Sequence, residues 1–271
     1  MMKLRRATFA ALALATVLFG ACTGLPSGPT APLALHSQTL APTGQLRVGV
    51  YLGSPTSLVK DASGEARGVS VDLGKEFARR LGVPYEQLEF ARLALVLDAL
   101  KAGQVDFTVT NATAARAQDM NFTAPLVGLE LGYLVLANAR VSAAADVDRP
   151  DIRVGVAQGS SSQAALTRAL KNAAVVPAPS LKVAADMLAR GEIDTFATNK
   201  AILFEMADSL PSATVLSGRW GVEQLAIAIP KGREAAMDDV RRFAEEMKAS
   251  GLVQRAAERA GLRGVVDAGP R

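Results

Sequence analysis

Arg47-Val48-Gly49-Val50, followed by Gly53-Ser54, returns later in the chain as Arg153-Val154-Gly155-Val156, followed by Gly159-Ser160. Asp98, Leu100, Gly103, Asp106, Thr110 and Asn111 also return, at identical internal spacing, as Asp186, Leu188, Gly191, Asp194, Thr198 and Asn199. Self-similarity over so long a period points to a duplicated architecture. Around each copy, short apolar runs alternate with stretches of helical periodicity. Leu46–Tyr51 reads as a buried strand. Leu73, Phe77 and Leu81 fall on one helical face that ends at Gly82. A strand near Glu86–Ala91, a helix over Leu93–Leu100 and a strand over Val105–Val109 follow. The second copy gives strands at Ile152–Ala157, Ala174–Pro177 and Ile193–Ala197, with helices over Ser161–Leu170 and Leu181–Leu188. Strands alternating with helices imply mainly parallel sheets flanked by helices. The expected fold class is therefore α/β, with two similar lobes.

Two segments read as links between the lobes. One is the apolar run Leu129–Ala139, and the other is the return around Ala213–Gly221. A strand at Ala226–Ile229 and helices over Glu234–Ser250 and Leu252–Ala260 then complete the first lobe. The expected organisation is a signal peptide over 1–22, a flexible tether over 23–45, lobe 1 over 46–132 plus 222–271, and lobe 2 over 133–221. The double crossing forms a two-segment hinge.

The bulk composition narrows the function classes. With 49% hydrophobic and 21% charged residues among 271, the chain is globular rather than disordered. Of the formal net charge of +4, three units come from Lys3, Arg5 and Arg6, so the folded body is close to neutral. A nucleic-acid binder would carry a dense basic stripe, which is absent here. Met1–Arg6 is a positive region, and the apolar stretch Ala7–Ala21 is too short to span a bilayer. Leu18-Phe19-Gly20-Ala21-Cys22 resembles a bacterial lipobox, in which Cys22 becomes the acylated first residue. A plain secretory signal is the alternative. Cys22 is the only cysteine and His36 the only histidine. The folded part thus offers neither Ser-His-Asp nor Cys-His catalysis, and no His/Cys metal cluster. No cofactor is expected, since the Gly-rich loops lack phosphate-binding spacing.

With these residues in view, the chain resembles the bacterial extracellular solute-binding proteins of family 3, of the type II periplasmic binding class. The resemblance runs over about Leu46–Leu262. It rests on Leu46-Arg47-Val48-Gly49-Val50, on Gly68–Gly82, and on Ala99-Leu100-x-x-Gly103-x-x-Asp106. It continues through Thr113-x-x-Arg116, Phe122-Thr123-x-Pro125 and Gly155–Ser161. It implies two lobes that close on a small-molecule solute in the periplasm or cell envelope; together with the lipobox at Cys22 and the missing catalytic histidine and cysteine, the expectation is a lipid-anchored monomer without enzymatic activity. The implied partner is the ABC permease of the inner membrane.

Candidate ligand contacts follow from the same positions. Gly159, Ser160 and Ser161 lie between a strand and a helix, where free N–H groups and the helix dipole favour an anion. An ordinary N-cap is the other reading. Arg116 matches the family arginine that grips a substrate carboxylate in a bidentate pair. The segment from Asp106 to Arg116 is shorter than in common amino-acid binders. Thr110, Asn111 and Thr113 either contact the ligand around it or cap the next helix. Tyr51 ends the first strand. Arg92 is either a second anion contact or a solvated strand end. Asn199 is the main departure, because amino-acid binders of the family usually place an aspartate there for the α-ammonium group. A buried ammonium facing a neutral amide lacks a counter-charge. The expected solute is accordingly small and polar or anionic, amino-acid-like or an organic acid, with an ordinary α-amino acid disfavoured. Lys200 faces either the cleft or solvent, Glu130 is an outlying cation contact, and Trp220 reads as a packed hinge residue. A lyase on the same fold would need a carboxylic acid in the cleft, such as Glu130 or Glu223. An accessory or sensor role, for instance beside a periplasmic dehydrogenase, is the third class.

Overall fold

The computed structural model describes residues 36–268, apart from 62 and 138. The export signal, Cys22 and the tether up to residue 35 lie outside the described residues. In chain order the elements begin with α1 (Ser37–Leu40), β1 (Leu46–Tyr51), the hairpin β2 (Val59–Lys60) and β3 (Ala66–Arg67), α2 (Val69–Leu81), β4 (Tyr85–Phe90), α3 (Leu93–Lys101) and β5 (Thr108–Asn111). Strand β1 pairs with β4 in parallel along its whole length, and Val48 bridges Phe107, also in parallel, just ahead of β5. Helix α2 buries Val69, Leu73, Phe77 and Leu81, a spacing of four that keeps one face on the sheet. Gly82 ends it in the left-handed conformation at φ 69°, where its N–H reaches back to the Ala78 and Arg79 carbonyls.

Next come β6 (Met120–Phe122), β7 (Val127–Leu136), β8 (Arg153–Ala157), α4 (Ser161–Ala169), β9 (Ala174–Ala178), α5 (Leu181–Ala189), β10 (Thr195–Asn199) and α6 (Lys200–Ser209). The chain finishes with β11 (Ala213–Val215), β12 (Gly221–Pro230), α7 (Met237–Ala249), α8 (Leu252–Arg259) and β13 (Val265–Val266). Strands β9, β8 and β10 are parallel and form the second lobe's sheet.

Two ten-residue strands, β7 and β12, cross between the lobes. They pair with each other between Val127–Leu131 and Gly221–Leu225. Beyond that shared ladder β7 turns to β10 and β12 turns to β5. The two sheets are therefore joined edge to edge by hydrogen bonds, where the repeat alone suggested separate sheets. The apolar cores remain distinct. One gathers Phe77, Phe107 and Phe243, with ring centroids 5.6 and 4.6 Å from Phe77. The second lobe is filled by Ile152, Val154 and Val156 on one side of its sheet and Phe196, Leu188 and Leu203 on the other. Each fully buried phenylalanine contributes about 1.5–3 kcal/mol relative to exposure.

The duplicated Arg and Asp turn out to be braces. Arg47 donates from its backbone N–H and Nε to Asp106 Oδ2, and from Nη2 to Asp106 Oδ1 and the Gly103 carbonyl. Arg153 does the same to Asp194 and Gly191. Each brace ties the first strand of a lobe to the turn after its second helix. Asp194 would be raised by its partial burial, but hydrogen bonds from Arg153 and Arg140 outweigh that and hold it down at about 2.

Four expectations need correction. The tether does not extend to residue 45: Leu40 is packed into the first core, Arg233 donates to its carbonyl at 2.9 Å, and His36 Nδ1 lies 2.6 Å from Asp239. The strand expected at Val105 begins at Thr108, because the Asp106 and Phe107 N–H groups both turn to the Arg47 carbonyl. The return crossing is β12, whereas residues 213–215 only add an antiparallel edge to β7. Helix α6 is an element the periodicity did not reveal, since its Ala201, Ile202, Leu203 and Met206 are buried on more than one side.

Candidate functional site

A cleft lies where the carboxyl ends of the parallel strands of both lobes meet, the position at which open α/β sheets bind ligands. From the first lobe come Tyr51 at the end of β1, Arg92 and Leu93 after β4, and Thr110 and Asn111 at the end of β5. From the second come the starts of three helices. Ser160 caps α4 by accepting from the Gln163 N–H at 3.1 Å, and Ser180 caps α5 by accepting from Val183 at 3.2 Å. Asn199 caps α6, with Oδ1 accepting from the Ile202 N–H at 3.1 Å. Three helix N-termini thus turn toward the cleft, and their unpaired N–H groups favour negative charge. Asn111 Nδ2 spans the gap and donates to Ser161 Oγ at 3.0 Å.

Arg116 and Glu223 dominate the electrostatics. The Arg116 Nη1 donates to Thr110 Oγ1 at 3.0 Å and to the Asn111 carbonyl at 3.1 Å, which fixes the guanidinium plane. Its Nη2 is buried and has no protein partner. Burial lowers the Arg116 pKa, and attraction to Glu223 opposes that shift. Arg92 Nε is likewise buried without a partner. Glu223, on crossing strand β12, is 7% exposed, and its Oε1 accepts from Asn199 Nδ2 at 2.6 Å. Burial pushes this carboxyl up to about 7, although Arg116 and the Asn199 hydrogen bond pull the other way. Tyr51 is raised, chiefly by burial, with Glu223 adding to the effect.

The structure brings Tyr51, Arg92, Thr110, Asn111, Arg116, Ser160, Ser161 and Asn199 together in this cleft. Thr113 and Gly159 sit outside it, along a separate groove that also touches Arg116 and Ser160. Thr113 Oγ1 accepts from the Arg116 backbone N–H, so it shapes the turn. Gly159 has φ +76°, and a Cβ there would stand 2.8 Å from Ala94 Cβ of the opposite lobe. It marks a point where the walls touch. Lys200 pairs with Glu130 at 2.6 Å, and Arg219 holds the other Glu130 oxygen at 3.1 Å, outside the cleft. Trp220 packs near Tyr133 and donates to the Gly132 carbonyl, as a hinge residue would. Glu223 is the member missing from the sequence-derived set of contacts. Its partner Asn199 lies 24 residues away, on another element.

This arrangement, a cleft of opposed charges between two lobes joined by crossing strands, defines a solute-binding protein of the type II periplasmic class. The sequence model for bacterial extracellular solute-binding proteins, family 3, matches residues 46–261, and the chain belongs to that family. Such proteins work outside the cytoplasm, in the periplasm or cell envelope. The chain is similar to the ABC transporter glutamine-binding protein GlnH of Bacillus subtilis, at 22% identity over 88% of this chain and 89% of that one. Among solved structures it resembles a solute receptor for L-cysteine of Neisseria gonorrhoeae, with TM-score 0.74 and 25% identity over 84% of this chain and 94% of that one. It also resembles a mutant of ArgBP from T. maritima, with TM-score 0.74 and 22% identity over 84% and 99% of the two chains.

Proposed function

We propose that this protein is the solute-binding component of an ABC importer, which captures a small polar solute bearing a carboxylate, an amino acid or an organic acid, by closing its lobes. The observation that carries the reading is Arg116 Nη2, buried in the cleft and without a protein partner. A buried guanidinium nitrogen left unpaired is costly, and a carboxylate in bidentate contact satisfies it. The helix starts at Ser160 and Ser161 add donors on the facing wall. Relatives named for glutamine and L-cysteine support a solute of that size. The moving bodies would be residues 36–132 with 222–268, and residues 133–221, hinged on β7 and β12. The protein would act as a monomer, anchored through an acylated Cys22 and docking on the inner-membrane permease.

Isothermal calorimetry against the standard amino acids and a set of small organic acids tests this reading. At least one is expected to bind at about micromolar affinity, roughly −8 kcal/mol. Absence of heat with every carboxylate would overturn it. Closure makes its own prediction. Gly159→Val puts a branched side chain where even one Cβ meets Ala94. The variant is expected to bind at least about tenfold more weakly (~1.4 kcal/mol) and to keep a larger radius of gyration in X-ray scattering with solute present. An unaltered radius and affinity would remove that wall contact from the closing motion.

Glu223 favours one second reading. A buried carboxyl held near neutrality is also what a general acid requires, so a lyase on this fold is the rival. Mass spectrometry of the bound solute after incubation separates the two: an unchanged mass supports the binder, and a lost water or carbon dioxide supports the lyase.

A further inference from the structure

We infer that the cleft takes a solute with two separate anionic groups, one carboxylate on Arg116 and a second on Arg92, and that Arg92 makes it select dicarboxylates over solutes with a single carboxylate. The inference rests on the proposed solute-binding reading and narrows it to one chemical class.

Arg92 occupies the N-cap position of α3, just beyond the end of β4. It makes no capping bond there, and the first turn of α3 holds no acidic residue. A cation at the positive end of a helix dipole is unfavourable, and a guanidinium has no atom that can accept from the free N–H groups. The repeat shows what the position holds when capping is its task. Ser180 stands six residues before Asp186, as Arg92 does before Asp98, and Ser180 accepts from the Val183 N–H at 3.2 Å. The first lobe thus has a cation where the second has a cap. Among the described residues no hydrogen bond or ion pair holds the Arg92 side chain, and its Nε is buried without a partner. Arg47, Arg153 and Arg233, by contrast, each bind an aspartate.

Arg92 and Arg116 line the same cleft from different anchors. Strand β4 pairs with β1 on one side, and the bridge at Phe107 brings the start of β5 to the other. The ends of β4 and β5 therefore lie about two strand spacings apart, roughly 10 Å. The Arg116 guanidinium is fixed at the end of β5 by Thr110 and Asn111, whereas Arg92 follows β4. Donors set apart in this way match two anionic groups better than one. The cleft sets a single carboxyl against them, Glu223, which Asn199 holds and burial keeps close to neutrality, at about 7. Two solute carboxylates are balanced when Glu223 is protonated, and a solute of one net negative charge when it is not. A lone carboxylate on Arg116 would leave Arg92 Nε unpaired, which is costly for a buried donor.

Calorimetry with isosteric pairs tests the inference: glutarate beside 4-carbamoylbutanoate, succinate beside succinamate, and L-glutamate beside L-glutamine. Within each pair only the second carboxylate is exchanged, for a neutral amide. At about pH 7, where the solute carboxylates are ionised, the acid is expected to bind about tenfold or more tighter than the amide in at least one pair, since a second charge-assisted contact is at stake. Arg92→Gln should abolish that preference, and Arg92→Lys should restore part of it by keeping the charge without the planar fork. Thermal unfolding beside the wild type shows whether the variants fold. Should neither do so, the wild-type preference alone decides. Amides that bind as tightly as their acids, or an acid preference that survives Arg92→Gln, would overturn the inference and leave solute binding standing. A monocarboxylate that binds where all three diacids fail would do the same. No binding by any of these probes, nor by any other carboxylate in the wider panel, would instead remove the solute-binding reading itself.

Discussion

An Arg116→Ala variant is expected to bind the solute at least about tenfold more weakly, a loss of ~1.4 kcal/mol or more. The wild-type side chain arrives prepared. Thr110 Oγ1 and the Asn111 carbonyl hold Nη1, so Nη2 is presented without further loss of freedom. A charge-assisted hydrogen bond is worth about 1.5–3 kcal/mol, and a bidentate pair adds orientation. Arg116→Lys keeps the charge but not the planar fork, and should also lose affinity. Thermal unfolding of both variants beside the wild type separates a binding defect from a folding one. Equal affinity in a folded Arg116→Ala protein would take Arg116 out of the site.

The larger effect on stability is expected at Asp106. Its side chain is fully buried and lies between two arginines, with Arg47 Nη2 at 2.8 Å and Arg233 Nη2 at 2.7 Å. Arg233 in turn donates to the Leu40 carbonyl and so fastens the segment before β1. Asp106→Asn takes from two largely buried guanidinium groups the carboxylate that both bind, leaving Arg47 only the weaker attraction of Glu86. Removing one partner of a buried pair costs about 3–5 kcal/mol, a sizeable part of a typical domain's stability. Urea unfolding should show the midpoint falling accordingly, with a smaller loss for Asp194→Asn, whose side chain is 10% exposed. A shift under about 1 kcal/mol at Asp106 would show that the repeated Asp does not brace the lobe.

The repeat made the architecture readable, because strand and helix periodicities leave local marks. Leu46–Tyr51 was legible as a short, mostly apolar run interrupted by Arg47, and Leu73, Phe77 and Leu81 as one helical face. What the repeated Arg and Asp do was not legible, since both ends of each brace are far apart in sequence. Helix α6 left no stripe, because neighbouring elements cover several of its sides. The stretch at 213–215 looks like any short strand, and nothing local says that it pairs with β7 while Gly221 begins the crossing.

The site shows the same division. Ser160 and Asn199 could be found from strand ends and helix starts, and Arg116 from its place in the Thr113-x-x-Arg116 motif of the family that the sequence resembles. Thr113 and Gly159 carry the same signals yet serve a turn and a wall contact. Asn199 was legible as a neutral side chain, but its pairing with Glu223, which reaches it from a strand that crosses between lobes, was not. Charge complementarity in a cleft is set by tertiary pairing, which no single stretch of sequence displays.

A crystal structure of the protein purified without added ligand, at a resolution that shows a co-purified small molecule, tests the clasping cleft most directly. Density is expected to span the gap with a carboxylate on Arg116 Nη2. Density lodged elsewhere, or Arg116 and Ser161 turned to separate faces of the molecule with no shared crevice, would contradict it.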